Sequence, residues 1–306
     1  MVLGIDTSNY KTSVALVNKS GEIIFNHQQF LEVKKGERGL RQQEALFQHV
    51  NNLPDAINQA MSFVSNDDHI EAVSVSVRPR PVEGSYMPCF NAGYSAAKII
   101  SSALGVPLFE FSHQEGHFEA VNHYSIFSGC DDVCFFHFSG GTTEAVFKDE
   151  IIGGTKDISF GQVLDRVGVT LGLAFPCGNE LDQMAISLPA SHNDVLTPIK
   201  VRDCWVNLSG IETQSQNYLQ NRYSKDFVSE LFEELSKAIV TMIKQISEKY
   251  DVKKFLFSGG VSSSTYIRNY IENNMDEEIK CAFGDPKLSS DNAVGIALLG
   301  GKKIWL

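Results

Sequence analysis

The chain is poor in cysteine, with six in 306 residues, too sparse a set for a disulfide framework. These read as reduced thiols, and the cytoplasm is the expected compartment. Cys130 and Cys134 form a lone C-x3-C with no second pair, which argues against a structural zinc. No window approaches 18 uninterrupted apolar residues, which excludes a membrane helix. Residues 1–6 carry neither a basic stretch nor a cleavage site, so a first strand is expected there rather than a signal peptide. Basic charge is also scarce: 26 Lys and Arg against 37 Asp and Glu give a net charge of −11. Such a chain repels nucleic acid at long range, and RNA contact would need a local basic patch or a basic partner. With 43% hydrophobic and 21% charged residues the composition is that of a globular protein, not a disordered one.

What is present is a pattern that occurs twice. Residues 2–5, 12–17 and 22–25 read as three meandering strands, with Asn9-Tyr10-Lys11 at the first turn. Residues 40–61 follow with helical spacing of Leu46, Phe47, Val50, Leu53, Ile57 and Met61, although Pro54 should start or kink a helix. That apolar face reads as core. Residues 70–77 alternate as a strand, 91–104 are helical and 106–111 form another strand. The second copy opens with strands at 133–138, 143–147 and 151–155, with Ser139-Gly140-Gly141 at its first turn. A long amphipathic helix at 227–246, strands at 255–257 and 279–283, and helices at 267–271 and 292–299 complete it. The expected fold is α/β, a duplication with lobes at 1–125 and 126–306, the last helix packing back on the first lobe. Backbone N–H groups at two such turns facing each other would floor a phosphate-binding cleft.

Five motifs occur in order: Gly4-Ile5-Asp6-Thr7-Ser8, His113-Gln114-Glu115-Gly116-His117, Phe138-Ser139-Gly140-Gly141-Thr142-Thr143, Ser258-Gly259-Gly260-Val261 and Ser290-Asp291-Asn292-Ala293. Together they resemble the TsaD/Gcp family, once called O-sialoglycoprotein endopeptidases, over nearly the whole chain. The resemblance implies the duplicated actin-like fold of sugar kinases and heat-shock ATPases, two lobes with a nucleotide cleft. It also implies formation of the N6-threonylcarbamoyl group on a tRNA adenosine next to the anticodon, with ATP or an acyl-adenylate as the bound nucleotide. His113 and His117, at i and i+4, put two rings on one helix face, a separation suited to one divalent metal. Asp291 matches the family's third ligand. Iron, zinc and manganese all suit this set. A zinc peptidase of the H-E-x-x-H type needs glutamate directly after the first histidine, and here that residue is Gln114.

For the nucleotide, the resemblance implies contacts from Ser139, Gly140, Gly141, Asp165, Gly178, Asp182, Gly259, Gly260 and Ser264, the last standing where the family has asparagine. The departures gather at the reaction corner. Asp6 keeps an acidic position, but Tyr10 stands for a catalytic aspartate and Lys11 for the neighbouring glutamate. Arg78-Pro79-Arg80-Pro81 replaces a Gly-Pro-Gly loop and adds donors for phosphate or carboxylate. Glu212 stands for lysine and Cys177 for glycine. The chain therefore looks like a divergent paralogue. Three readings stay open: a transferase to an amine in tRNA, a carbamoyltransferase with another acceptor, and a nucleotide-binding scaffold without chemistry. A tRNA reached through a partner complex, a smaller actin-like paralogue docking on the 40–61 region, and a second copy of this chain are the implied partners.

Overall fold

The computed structural model describes residues 1–8, 10–33, 40–148, 150–187, 195–221, 227–285, 287–289 and 292–306. They form two compact units, Met1–Tyr124 with Lys287–Leu306, and Ser125–Pro286.

The first unit is built on a five-stranded sheet. β1 (Val2–Asp6), β2 (Lys11–Val17) and β3 (Ile23–Phe30) form an antiparallel meander. β4 (Ala72–Arg78) and β5 (Leu108–Ser112) extend it in parallel from β1, giving the order β3-β2-β1-β4-β5. β1 is buried along its whole length because helices cover both faces. Side chains alternate across it. Leu3 and Ile5 pack with Leu53 and Ala56 of α1 (Gln42–Met61) and Ala92 and Ala97 of α2 (Phe90–Leu104). Val2 packs on the other side with Ala120 of α3 (His113–His123) and Val294, Ala297 and Leu298 of α9 (Val294–Trp305). The same alternation assigns Gly4 and Asp6 to the α3/α9 face.

α1 departs from its sequence reading twice. It runs unbroken through Pro54, which lies on the exposed side, where the carbonyl freed by the missing N–H can meet water. Its inward stripe is Ala45, His49, Leu53, Ala56 and Ala60, whereas Phe47 and Val50 are 66% and 54% exposed. Small residues let the helix lie close on the sheet and leave the larger apolar ones outside.

The second unit repeats the topology. β6 (Val133–Phe138), β7 (Thr143–Phe147) and β8 (Glu150–Thr155) form the meander, and β10 (Lys254–Ser258) and β11 (Lys280–Phe283) run parallel to β6. With β9 (Trp205–Val206) on the far edge, the order is β11-β10-β6-β7-β8-β9. α4 (Phe160–Thr170), α5 (Gly178–Ser187), α6 (Ser209–Asn221), α7 (Phe227–Tyr250) and α8 (Thr265–Asn274) belong to this unit. α4, α6 and β9 are absent from the sequence reading; α6 is a polar helix and β9 has two residues, so neither leaves much periodic signal, whereas the apolar spacing of Phe160, Val163, Leu164 and Val167 in α4 was there to be read. Among the described residues no helix is long and apolar enough to cross a membrane.

α3 and α9 cross at glycines. A Cβ on Gly295 would overlap the carbonyl oxygen of Gly116, and one on Gly116 would lie 2.7 Å from Ile296 Cδ1. Replacing Gly295 with alanine is therefore expected to cost about 3 kcal/mol, at the upper end of overpacking effects. Urea unfolding of wild type and variant measures it, and an unchanged midpoint would refute the close crossing.

Candidate functional site

The first unit collects polar side chains at the carboxyl ends of β1, β4 and β5, the edge where open α/β sheets carry their ligands. β1 ends at Asp6, which is fully buried. A buried carboxylate must be hydrogen-bonded. Ser8 Oγ donates to its Oδ2 at 2.8 Å, Ser76 Oγ of β4 donates to Oδ1, and His113 Nδ1 donates to Oδ1 at 3.0 Å.

β5 runs into α3 through Ser112. Its hydroxyl accepts from the N–H of Glu115 at 3.2 Å, and the Glu115 carboxylate accepts from the Ser112 N–H at 2.6 Å. This capping box starts the helix at His113. It also ties Glu115 to the backbone, where a peptidase base would have to be free. One turn on, His117 is buried, and its Nε2 lies 2.9 Å from Nε2 of His113. An ionised Asp6 can only accept, so His113 carries its proton on Nδ1 and aims the Nε2 lone pair at His117. A carboxylate behind one imidazole and two Nε2 atoms at one point are the arrangement of a metal-binding pair with its outer support. Tetrahedral coordination with bonds of about 2.0–2.1 Å separates two nitrogens by roughly 3.3 Å, so a slight opening admits an ion. Among the described residues no group of three His, Cys, Asp or Glu side chains could hold a metal, and Asp291 lies outside the described residues. His113 and His117 thus fit as two ligands of a site that needs a third.

The other residues expected at this corner are placed differently. Tyr10 is 43% exposed. Lys11 is buried, donates to Gln28 Oε1 at 3.0 Å and lies 4.6 Å over the Phe30 ring, both on β3. The Arg78–Arg80 loop borders the histidines, because the Gln114 N–H of α3 donates to the Pro79 carbonyl at 3.0 Å. Arg78 is exposed and Arg80 half-buried.

In the second unit the equivalent edge is made of backbone. The Ser139-Gly140-Gly141 turn rests on the first turn of α4, where Ser159 caps the helix in a box with Gln162 and donates its hydroxyl to the Gly140 carbonyl at 2.8 Å. Gly259 lies directly behind. Its φ is +95° and a Cβ would overlap the Phe138 carbonyl, so glycine is required. Asp165 accepts from the Cys177 N–H at 2.8 Å, and its other oxygen lies 3.9 Å from where a Gly140 Cβ would be.

Gly140, Gly141, Gly178 and Gly260 are a different case. Their φ values are ordinary, and a Cβ on Gly141, Gly178 or Gly260 would meet nothing within 4 Å. Neither backbone strain nor packing demands glycine there, and bare backbone facing open space suits a phosphate or sugar that must come close. Asp182 and Ser264 meet each other instead. Asp182 is 3% exposed; it accepts from the Ser264 hydroxyl and from the N–H groups of Thr265 and Tyr266 at 2.9 and 3.1 Å, at the N-terminus of α8.

Sequence reasoning quoted Ser8 in a motif without giving it a role, and it missed Ser76 and His137, whose Nδ1 lies 3.1 Å from Ser258 Oγ beside the glycine turn. It also missed His49. This residue sits fully buried on the inward stripe of α1, with Nδ1 2.8 Å from Thr12 Oγ1, and Thr12 Oγ1 accepts from Asn52 Nδ2 at 3.2 Å. The signal was there: a histidine spaced four residues from Ala45 and Leu53 in an otherwise apolar stripe.

The chain matches the model of the TsaD family, described as tRNA N6-adenosine threonylcarbamoyltransferase, over residues 22–298. Proteins of that name from Staphylococcus aureus (strain bovine RF122 / ET3-1) and Bacillus licheniformis are 27% and 28% identical to it, each alignment covering 98% of this chain and 90% of the relative. Solved structures share the fold at low identity. Component A of (R)-2-hydroxyglutaryl-CoA dehydratase from Acidaminococcus fermentans superposes with a TM-score of 0.57 at 13% identity, over 99% of this chain and 98% of that one. A ROK family glucokinase from Streptomyces griseus gives 0.51 at 14%, over 97% and 98%. The architecture is therefore that of the actin-like ATPases and sugar kinases.

Burial pushes the His49 imidazole down from 6.5 to about 4, against the pull of the nearby Asp6 charge. Unfolded, it takes a proton near its ordinary value; folded, it resists one until about 4. Its contribution to stability is complete above pH 6.5 and is lost as the pH falls toward 4, in all about 3 kcal/mol. Unfolding free energies between pH 7 and 4 should fall more steeply for wild type than for His49→Gln, and parallel curves would contradict this.

Proposed function

The chain belongs to the tRNA N6-adenosine threonylcarbamoyltransferase family, and from that premise we propose that it transfers a threonylcarbamoyl or carbamoyl group from an adenylate to an amine. The observation that carries the reading is the buried Asp6 carboxylate holding His113 so that its Nε2 meets that of His117. A divalent ion held by His113, His117 and Asp291 would supply Lewis acidity toward the carbonyl that is transferred. The chain's own residues do the rest. Asp6 fixes the proton of His113 on Nδ1 and keeps Nε2 available. Ser139, Gly140, Gly141, Gly178 and Gly260 offer backbone and hydroxyl donors to the phosphate and sugar, with the Asp165 carboxylate suited to ribose hydroxyls. Gly259, Asp182 and Ser264 support that surface: the first seats the turn, the other two cap α8. Arg78 and Arg80, beside the start of α3, provide donors for an anionic group of the donor or the acceptor. A cytoplasmic setting, with tRNA presented by a partner complex, completes the reading, and the exposed Phe47 and Val50 of α1 suit a docking paralogue.

A transfer to a different acceptor is favoured by two observations. Lys11, standing where the family has an acid, is committed to Gln28 and Phe30 on β3, and the net charge is −11. The test is direct. Protein purified without chelator is analysed for metal, then given threonylcarbamoyl-adenylate, tRNA and the usual partner proteins, and the nucleosides are read by mass spectrometry. Modified adenosine that disappears in His113→Ala is expected. Metal-bearing protein that consumes the adenylate yet leaves tRNA unmodified would shift the reading to another acceptor. Protein that takes up no metal and turns nothing over would reduce it to a scaffold.

The glycine turn makes a separate prediction. Gly141→Ala should leave stability unchanged or raise it by about 0.4–1 kcal/mol through the unfolded chain, while weakening adenine-nucleotide binding on the order of tenfold, about 1.4 kcal/mol. Melting curves and calorimetric titration with ATP measure both. Undiminished binding would remove Gly141 from the nucleotide site.

A further inference from the structure

Thr7 sits in the chain between Asp6 and Ser8, but its side chain goes to α2 and is fully buried there. α2 opens irregularly. The N–H groups of Phe90, Asn91 and Ala92 donate three residues back, to the carbonyls of Met87, Pro88 and Cys89, at 3.3, 3.1 and 3.2 Å, the pattern of a 3₁₀ turn. In a regular α-helix the next N–H, that of Gly93, would go four residues back to Cys89. It donates to Thr7 Oγ1 at 3.1 Å, and Thr7 Oγ1 donates to the Cys89 carbonyl at 3.1 Å. Both directions are fixed, since an amide N–H only donates and a carbonyl only accepts. The hydroxyl is thus inserted into the helix ladder. Gly93 makes room for it, because a Cβ there would lie 2.8 Å from Thr7 Oγ1. Valine would fill the same space and leave the helix to close its own bond, so the hydroxyl serves the joint between strand and helix.

That joint carries one border of the histidine pair. Phe90, the first residue of α2, has its ring centroid 6.2 Å from that of His113. The arginine–proline loop ends on the same helix. Arg80 N–H donates to Ser85 Oγ at 3.0 Å, and Asn91 Nδ2 donates to the Tyr86 hydroxyl at 3.1 Å. The loop is therefore fixed to α3 at Pro79 and to the start of α2 at Tyr86.

We infer that Thr7 is a positioning residue for this border: its hydroxyl sets where α2 begins, and so places Phe90 against His113 and fixes the far end of the Arg78–Arg80 loop. The placement stands on the hydrogen bonds and the ring contact alone. Its consequence for transfer rests on the reading of this corner as a transferase site.

The test uses the full chain stripped of metal and labelled at histidine and phenylalanine, with the nuclear Overhauser contact between the Phe90 and His113 rings read by NMR well below the melting temperature. Thr7→Val removes the hydroxyl and keeps the branched shape, whereas Thr7→Ser keeps the hydroxyl and drops the methyl. Thr7→Val is expected to lose the ring contact and shift the His113 ring signals, and Thr7→Ser to retain both. A loss of stability alone would move neither in the folded protein. A folded Thr7→Val protein with the wild-type contact overturns the inference, as does a Thr7→Ser protein that loses it. Should Thr7→Val fail to fold, Gly93→Ala pushes the hydroxyl out of the ladder from the other side. Loss of the ring contact then supports the inference and an unchanged contact refutes it. In the metal-loaded full chain, kcat/KM for consumption of threonylcarbamoyl-adenylate should fall by about 10–100-fold in Thr7→Val and recover in Thr7→Ser. A displaced His113 ring with unchanged kcat/KM overturns the consequence for transfer. Wild type that consumes no adenylate, while Thr7→Val still displaces the ring, overturns the transferase reading and leaves the positioning role standing.

Discussion

Asp6 is a carboxylate buried at the end of a central strand, and a bare charge in that position would cost roughly several kcal/mol. The first unit answers it from three elements at once: Ser8 beyond β1, Ser76 on β4 and His113 on α3 donate to its two oxygens. Each donor stabilises the ion, and each is fixed by it. The result is a brace across the sheet edge that determines where α3 begins and how its first ring is turned. The capping box at Ser112 and Glu115 sets the same helix start from the backbone side. The glycine crossing of α3 on α9 lets the helix lie low enough for its histidines to reach that edge.

The second unit repeats the strand order without repeating the chemistry. Where β1 ends in an acid, β6 runs into Ser139 and two glycines. Charge is withdrawn to the flanks: Asp165 takes a backbone N–H and Asp182 is consumed as the cap of α8. What remains in front of the turn is backbone with open space ahead of it. One topology thus carries an imidazole pair braced by a carboxylate in one unit, and in the other a surface of N–H groups and glycines.

Several departures from the family pattern have local partners. The Cys177 thiol fits because Gly168 has no Cβ to meet it, and burial pushes that thiol up. Glu212 on α6 stands 3.9 Å from Arg166 on α4, an ion pair of opposite sense to the lysine expected there. Lys11 is absorbed by β3. These exchanges keep the fold intact while altering the polar groups around it. In the arginine–proline loop, Arg78 is exposed beside the start of α3.

The duplication, the strand meanders, the histidine pair and the glycine turns could all be read from residue order, because alternation, helical spacing and short motifs are local properties. The capping boxes at Ser112-x-x-Glu115 and Ser159-x-x-Gln162 were equally legible. His49 was half visible, as a polar residue on an apolar stripe. Its partner Thr12 is 37 residues away in the chain, and no spacing rule reaches so far. Which face Phe47 and Val50 take, that Asp6 meets a serine 70 residues on, and that Asp182 serves a helix rather than open space depended on how strands and helices stack. Local sequence states which groups are available; burial decides which of them must find one another, because a polar atom removed from water is stable where its partner has been brought to it.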